Sequence, residues 1–343
     1  MAQEFGNTRF VYNYLLAKSI EDYHQNSDAK WNKYEYIKAI TQLKKDWEHD
    51  WLKLSNSQSL QAAVWNLDVA YNRFFKWIAR FPKFKKKRSK QSFHVPQSCS
   101  IVGNRVKVPK YSPIKFVQHR PIEGKIRSMT ISQDSSWRYF VSVLVEQEDY
   151  EVFPQTGNEV GIDLGLKDLA ITSDGDVYKT IKYNDTKIRR LQMWQSKKVQ
   201  WSRRYKRLKT KVAKLHAHNA DIRADYLHKI SHEIVKKYDL IGLENLNIKG
   251  MMKNRKLSYC IWQQWRNKLV TMLEYKAIRH WKITHKVDRR YPSSKQCNNC
   301  GNVKRDLKLS DRTYECTKCW LVADRDVNAA KNILQYTKVE MSL

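Results

Sequence analysis

The sequence predicts a multidomain α/β protein with a zinc ribbon near its C-terminus, and three observations predict it. Residues 7 to about 80 follow a helical period, residues from about 91 to 156 break into short β-like runs, and four of six cysteines fall as two CxxC pairs late in the chain. A length of 343 residues is enough for two or three cores.

The helical region is clearest where Leu60, Val64, Leu67, Tyr71, Phe74 and Ile78 recur at alternating steps of four and three, one stripe of an amphipathic helix. Packing is the simplest use of such a stripe, and base stacking by aromatics such as Trp65 or Trp77 is the lesser reading. Pro82 is expected to stop this helix, and a basic linker from Lys83 to Lys90 follows. Beyond it, Ile101-Val102 and Val106 to Val108 flank a Gly103-Asn104 turn. With Met129 to Ile131 and Tyr139 to Val145 they read as a small antiparallel barrel.

Residues 157 to 178 are strand-like again and hinged at Asp174-Gly175, a hairpin signal. A long basic helical stretch, about 185 to 237, is expected to fold back near His218-Asn219. A strand at Leu240 to Leu243, a helix around Trp262 to His280, a strand at Thr284 to Val287, the cysteine module and a last helix near Asn328 to Leu334 complete the chain.

Charge narrows the partners. With 65 Lys and Arg against 34 Asp and Glu, the formal net charge is +31, and a polyanion is the partner that neutralises it. Twelve Trp, nineteen Tyr and ten Phe argue for folded cores and offer ring faces for unpaired bases. Two groups are the best candidates for phosphate contact: the linker Lys85, Lys86, Lys87 and Arg88, and the helical face Arg203, Arg204, Lys206, Arg207, Lys209, Lys211 and Lys214. The second is too dense in one sign for internal salt bridges to hold it. No apolar run reaches the roughly 18 residues of a membrane span, and the N-terminus lacks the pattern of a signal peptide. The expected location is the prokaryotic cytoplasm, in association with the nucleoid.

In such a reducing compartment CxxC pairs mean metal more often than disulfide. Cys297 and Cys300, fifteen intervening residues, then Cys316 and Cys319 have the spacing of a four-thiolate zinc ribbon, which leaves no open coordination position and is therefore structural. Cys99 and Cys260 lie apart and read as small packing residues.

Three acids sit where their neighbours predict burial: Asp163 in Val160-Gly-Ile-Asp-Leu-Gly-Leu, Glu244 after Leu240-Ile-Gly-Leu, and Asp326 just before the last helix. A carboxylate there is costly unless paired or metal-bound. Together they suit one or two Mg²⁺ or Mn²⁺ ions, which could activate a water and stabilise a leaving 3′ oxygen at phosphorus. Asp324 reads either as an outer carboxylate or as a helix cap.

Four ordered blocks carry a resemblance: Gly161-Ile-Asp-Leu-Gly-Leu-Lys-Asp-Leu-Ala, Leu243-Glu-Asn-Leu-Asn-Ile-Lys-Gly-Met, Tyr291-Pro-Ser-Ser-Lys-Gln-Cys-Asn-Asn-Cys-Gly and Asp324-Arg-Asp-Val-Asn-Ala-Ala-Lys-Asn-Ile. They resemble the signature blocks of TnpB, the transposon-encoded RNA-guided DNA nucleases ancestral to compact type V CRISPR nucleases. Thr8-Arg-Phe-Val-Tyr-Asn, Phe81-Pro-Lys-Phe-Lys-Lys-Lys and His119-Arg-Pro-Ile-Glu-Gly-Lys-Ile-Arg extend the resemblance over nearly the whole chain.

The resemblance implies five segments: a helical recognition domain with a truncated barrel edge over 1–82, a β-barrel wedge-like domain over 83–156, the first part of a RuvC, RNase H-like nuclease domain over 157–290, an inserted zinc ribbon over 291–320, and the last RuvC part over 321–343. It implies Asp163, Glu244 and Asp326 as catalytic acids and Mg²⁺ ligands. Its implied partners are a guide RNA from the transposon end and double-stranded target DNA cut beside a short protein-read motif, with one monomer per RNA. Ala323 departs from the family, where His often precedes the Asp-Arg-Asp block.

The competing reading is a nuclease-inactive RNA-guided DNA-binding regulator, or a degenerate transposon remnant. A strand-transferring transposase shares the acids, but no helix-turn-helix is recognisable in the sequence.

Overall fold

The computed structural model describes all residues except 28–29, 89, 148–149, 166, 182, 184, 246–265, 309–310 and 343. Cys260, Trp262 and the stretch Leu246 to Met251 of the second signature block lie outside the described residues. The chain divides into two compact units, residues 1–150 with 201–214, and residues 151–200 with 215–343.

The first unit opens with helices α1 (Ala2–Gln25), α2 (Lys33–Leu43) and α3 (Ser57–Phe75), with a 3-10 turn at Trp47–Leu54. Asn56 caps α3 by accepting from the Gln58 N–H. Leu60, Val64, Leu67 and Tyr71 are buried against Val11, Leu15, Leu16 and Ile40. The expected stripe therefore packs, but it ends early. The helix stops at Phe75 and not at Pro82, because the chain turns left-handed at Trp77, leaving Ile78 exposed.

Two three-stranded antiparallel sheets follow. One orders β1 (Gln91–Val95), β5 (Lys125–Gln133) and β6 (Tyr139–Glu146); the other orders β2 (Ser100–Val102), β3 (Arg105–Lys107) and β4 (Ile114–Lys115). Phe93, Val95, Val106, Met129 and Ile131 from both sheets meet Phe5 of α1 in one core. The expected barrel is thus two separate ladders around shared apolar residues. The sequence reading missed β1 and β4, which are short or flanked by basic residues.

The second unit is built on a five-stranded sheet of order β11-β10-β7-β8-β9, with β7 (Glu159–Asp163), β8 (Asp168–Thr172), β9 (Val177–Lys179), β10 (Leu240–Leu243) and β11 (Ile283–Lys286). β7, β10 and β11 run parallel, and β8 and β9 antiparallel to their neighbours. The β8–β9 turn contains Asp174-Gly175, as the hairpin signal predicts. Helices α4 (Thr186–Ser196), α5 (Arg203–Lys237), α6 (Arg266–Arg279) and α7 (Arg325–Met341) accompany it, with a small hairpin of β12 (Thr313–Glu315) and β13 (Val322–Asp324). The first dozen residues of α5 group with the first unit. The expected fold-back at His218-Asn219 does not occur: α5 runs unbroken through it, and the break lies between α4 and α5.

A glycine pair sets how closely α7 approaches the sheet. Gly161 on β7 and Gly242 on β10 are register partners, and α7 lies across them. A Cβ on Gly161 would meet Leu334 N at 2.6 Å, and one on Gly242 would meet Thr337 Oγ1 at 2.5 Å. Only glycine at both positions lets the helix approach the sheet this closely.

Candidate metal centres and catalytic site

The zinc ribbon assembles from local sequence. The four Sγ atoms lie within 4.8 Å of one another, with Cys297 to Cys319 at 3.6 Å and Cys300 to Cys316 at 3.5 Å. A tetrahedron with bonds of about 2.3 Å has sulfur–sulfur edges of roughly 3.8 Å, so the four thiols fit a zinc ion. The Cys319 N–H, helped by the Lys318 N–H, draws the Cys316 thiol down to about 6 despite burial. The cluster is sealed by Tyr314, which is fully buried and donates from its hydroxyl to the Lys295 and Asn302 carbonyls.

Two buried asparagines, which sequence reasoning passed over, tie the ribbon to α7. Asn332 donates to the carbonyls of Ser293 at 2.7 Å and Gln296 at 2.6 Å. Asn328 donates to the Gln296 carbonyl at 2.7 Å and accepts from the Asn298 N–H at 3.0 Å. Both are fully buried, so removing the Asn332 amide would leave the Ser293 carbonyl unsatisfied, and removing the Asn328 amide the Asn298 N–H. Polar residues at helical spacing among alanines were their only signal in the sequence.

The acids come together by strand register and helix placement. Leu243 pairs with Ile162 in parallel, so the next residues, Glu244 and Asp163, emerge side by side at the carboxyl ends of β10 and β7. Burial pushes the Asp163 carboxyl well up, and the charges of Glu244 and Asp326 push it further. Glu244 is also raised by burial, against the opposing Arg266 charge, the Leu164 N–H and a hydrogen bond with Asp163. Asp326 lies in the first turn of α7, and Asp324 is the cap of that helix, accepting from the Asp326 and Val327 N–H groups at 2.9 and 3.1 Å.

The three carboxylates nonetheless do not form one tight cluster as the cysteines do. Among the described residues, the groups with ligand atoms mutually within 4.8 Å are the four cysteines and the surface set Asp46, Glu48 and His49. Asp163 and Glu244 share a hydrogen bond, while Asp326 faces Arg312 of the ribbon at 3.6 Å. Hard oxygen donors around a carboxyl, Asp163, whose pKa the charges of Glu244 and Asp326 raise, suit a divalent cation.

Three arginines complete the surroundings. Arg266 is buried, donates to the Gly165 carbonyl and lies in the field of Glu244 and Asp163, while Arg325 and Arg312 offset Asp326. None of these stood out in a chain so rich in arginine.

The basic groups sit in the first unit. Arg203, Arg204, Lys206, Arg207, Lys209, Lys211 and Lys214 are all exposed along α5. In the linker, Lys85 is engaged locally: its ammonium lies 3.8 Å over the Tyr12 ring, and its backbone is held by both ends of the Asn13 amide. Arg88 stacks over Trp201 at 4.1 Å, leaving Lys86 and Lys87 as the freest of that group. Cys99 packs at the edge of the β core. No helix among the described residues is long and apolar enough to cross a membrane.

A mixed α/β second unit with a four-cysteine module docked beside buried carboxylates defines a class in which comparison is informative. The family model OrfB_IS605, described as "Probable transposase", matches residues 142–255, and the "Cas12f1-like, TNB domain" model matches 267–333. A "Helix-turn-helix domain" model of the OrfB_IS605 group matches residues 1–28, although residues 2–25 form one continuous helix and no such motif was read from the sequence. A protein of Escherichia coli strain K12 named "Putative RNA-guided DNA endonuclease InsQ" is 30% identical over 96% of this chain and 86% of its own length. A Streptomyces pristinaespiralis protein bearing the same name without its last word is 32% identical over 97% of this chain and 84% of its own. The Cas12f1 chain in a complex with sgRNA and target DNA superposes with a TM-score of 0.62 at 17% identity, covering 97% of this chain and 81% of that one, a likeness of fold. The chain belongs to the TnpB family.

Proposed function

We propose that this protein is an RNA-guided DNA endonuclease that hydrolyses phosphodiesters at Asp163, Glu244 and Asp326. The observation that carries the proposal is the convergence of these acids at the carboxyl ends of the parallel strands β7 and β10 and the first turn of α7, where open α/β sheets place their ligands. The sheet order, with β8 antiparallel between β7 and β9, supports an RNase H-like, RuvC-type reading of the second unit. Its relatives' names and the net charge of +31 support binding of both RNA and DNA.

Two Mg²⁺ or Mn²⁺ ions held by the three acids would supply an activated water and charge stabilisation at the leaving 3′ oxygen. The residues' own parts follow from their positions. Asp163 and Glu244, which share a hydrogen bond, would hold a cation through their carboxylate oxygens once the shared proton is lost to solvent. Arg312 and Arg325 neutralise Asp326 and are placed for a phosphate. The zinc ribbon, pinned through Asn328 and Asn332, keeps Arg312 beside Asp326. In this reading residues 1–82 and 83–156 serve as recognition and wedge domains, the guide pairs with target DNA, and Lys86, Lys87 and the exposed face Arg203 to Lys214 hold phosphates.

The test is co-expression with the neighbouring noncoding transposon-end sequence, followed by guided cleavage of double-stranded DNA in Mg²⁺ or EDTA with an Asp163→Ala control. Cutting that needs guide and metal and disappears in the variant is the expected result. Tight RNA and DNA binding with no cutting in any condition would overturn it.

A further inference from the structure

Seven residues other than glycine have a left-handed backbone among the described residues, and five of them are tryptophans: Trp77 (φ 59°), Trp137 (70°), Trp201 (68°), Trp281 (57°) and Trp320 (60°). A bulky side chain at such φ is a steric outlier, and glycine is the residue that normally occupies it. The chain holds twelve tryptophans and only ten glycines, far below the usual glycine share of about 7%.

Each turn supplies its own reason to want glycine. At the end of α3 the Trp77 N–H donates to Phe74 O and the Ile78 N–H to Arg73 O, the paired bonds of a Schellman motif with Trp77 at its glycine position. The end of α6 repeats this with Trp281: its N–H donates to Ile278 O, and that of Lys282 to Ala277 O. Trp137 closes the β5–β6 hairpin, donating to Asp134 O at the left-handed position of a three-residue loop. Trp201 is the left-handed residue before Ser202, whose hydroxyl caps α5.

The zinc knuckles make the comparison internal to the molecule. In the first, Gly301 (φ 72°) donates to Cys297 O and Cys297 donates to Asn302 O; in the second, Trp320 donates to Cys316 O and Cys316 to Leu321 O. The two loops share the same pair of backbone hydrogen bonds, with glycine in one and tryptophan in the other. The five indoles are 48% to 93% exposed. Trp31 and Trp51 behave differently: the first donates to Asp68 and stacks on Tyr36, the second donates to Glu48 O and packs on Phe10, and neither has positive φ. Exposed tryptophans kept for stacking on bases would have no need of the left-handed region.

We infer that positions 77, 137, 201, 281 and 320 are glycine in the protein made by its native host, where a codon that translates as tryptophan elsewhere is decoded as glycine. UGA is the codon with that latitude, being read as stop, tryptophan or glycine in different genetic codes. Glycine at these positions removes the backbone strain, makes the two zinc knuckles alike and removes five exposed indoles.

The test has two independent arms. The gene should carry UGA at these five positions and UGG at 31 and 51, and peptide mass spectrometry of the protein from its host should find glycine at all five. UGG codons there, or tryptophan in the host peptides, would overturn the inference. Recombinant protein carrying W77G, W137G, W201G, W281G and W320G should melt higher than the tryptophan form by about 5 °C or more, or fold where that form does not. An equal or lower melting temperature would refute its structural basis. None of these readouts depends on nuclease activity, so they stand apart from a failure of the cleavage assay.

Discussion

The four-cysteine module, which fits a zinc ion, and the carboxylate site proposed for catalysis are assembled in opposite ways. Two CxxC knuckles close four thiols to within 4.8 Å from short stretches of chain, each knuckle shaped by its own backbone hydrogen bonds. The acids lie 81 and 82 residues apart in sequence and meet only through strand register and the seating of α7, leaving Asp163 with Glu244 and Asp326 with Arg312. A site whose ligands are local can be complete before any partner binds. One spread over three elements depends on every contact that places those elements, and here those contacts run through a glycine pair and two asparagines.

The sharpest break in this comparison is Asp163→Ala. It should abolish guided cleavage, a fall of at least about a thousandfold, with one zinc per chain retained by atomic absorption. Because the carboxyl removed is buried among like charges, metal-free protein should melt no lower than the parent. An unaltered cleavage rate would remove Asp163 from the chemistry.

Cys316→Ser should release the zinc and unfold the ribbon, a loss of several kcal/mol, and cleavage should fall with it because Arg312 and α7 lose their support. Full cleavage by zinc-free protein would separate the two sites entirely. Gly161→Ala pushes a methyl into α7 and should cost about 1–3 kcal/mol by denaturant titration, with cleavage falling more than zinc content. Asn332→Ala leaves the Ser293 carbonyl without its partner and should cost about 1–3 kcal/mol in the same titration, with zinc retained. The smallest effect belongs to the exposed helix. Changing Arg203, Arg204, Lys206 and Arg207 to Gln should leave melting unchanged and lower the slope of log affinity against log salt by up to about 0.7–0.9 for each phosphate that those side chains neutralise in the parent.

What the sequence determined by itself is whatever local spacing dictates. The CxxC pairs named the zinc set, the Leu60 to Tyr71 stripe named a packed helix face, and a carboxylate closing an apolar run singled out Asp163 and Glu244, since such a residue is costly without a partner. The ordered blocks also carried the family.

Tertiary structure decided the rest. Arg266 and Arg312 matter because of what faces them, and nothing in a basic sequence separates them from their neighbours. The barrel resolved into two ladders because pairing depends on strands too short to announce themselves. The helix boundaries near 77 and 201 were misplaced, toward Pro82 and toward His218-Asn219, for a related reason: the chain leaves α3 just before Trp77 and enters α5 just after Trp201, residues whose backbone is that of glycine and whose letter is tryptophan. Propensity reads the side chain, whereas the turn is made by φ, and at those positions only the folded backbone showed which one governs.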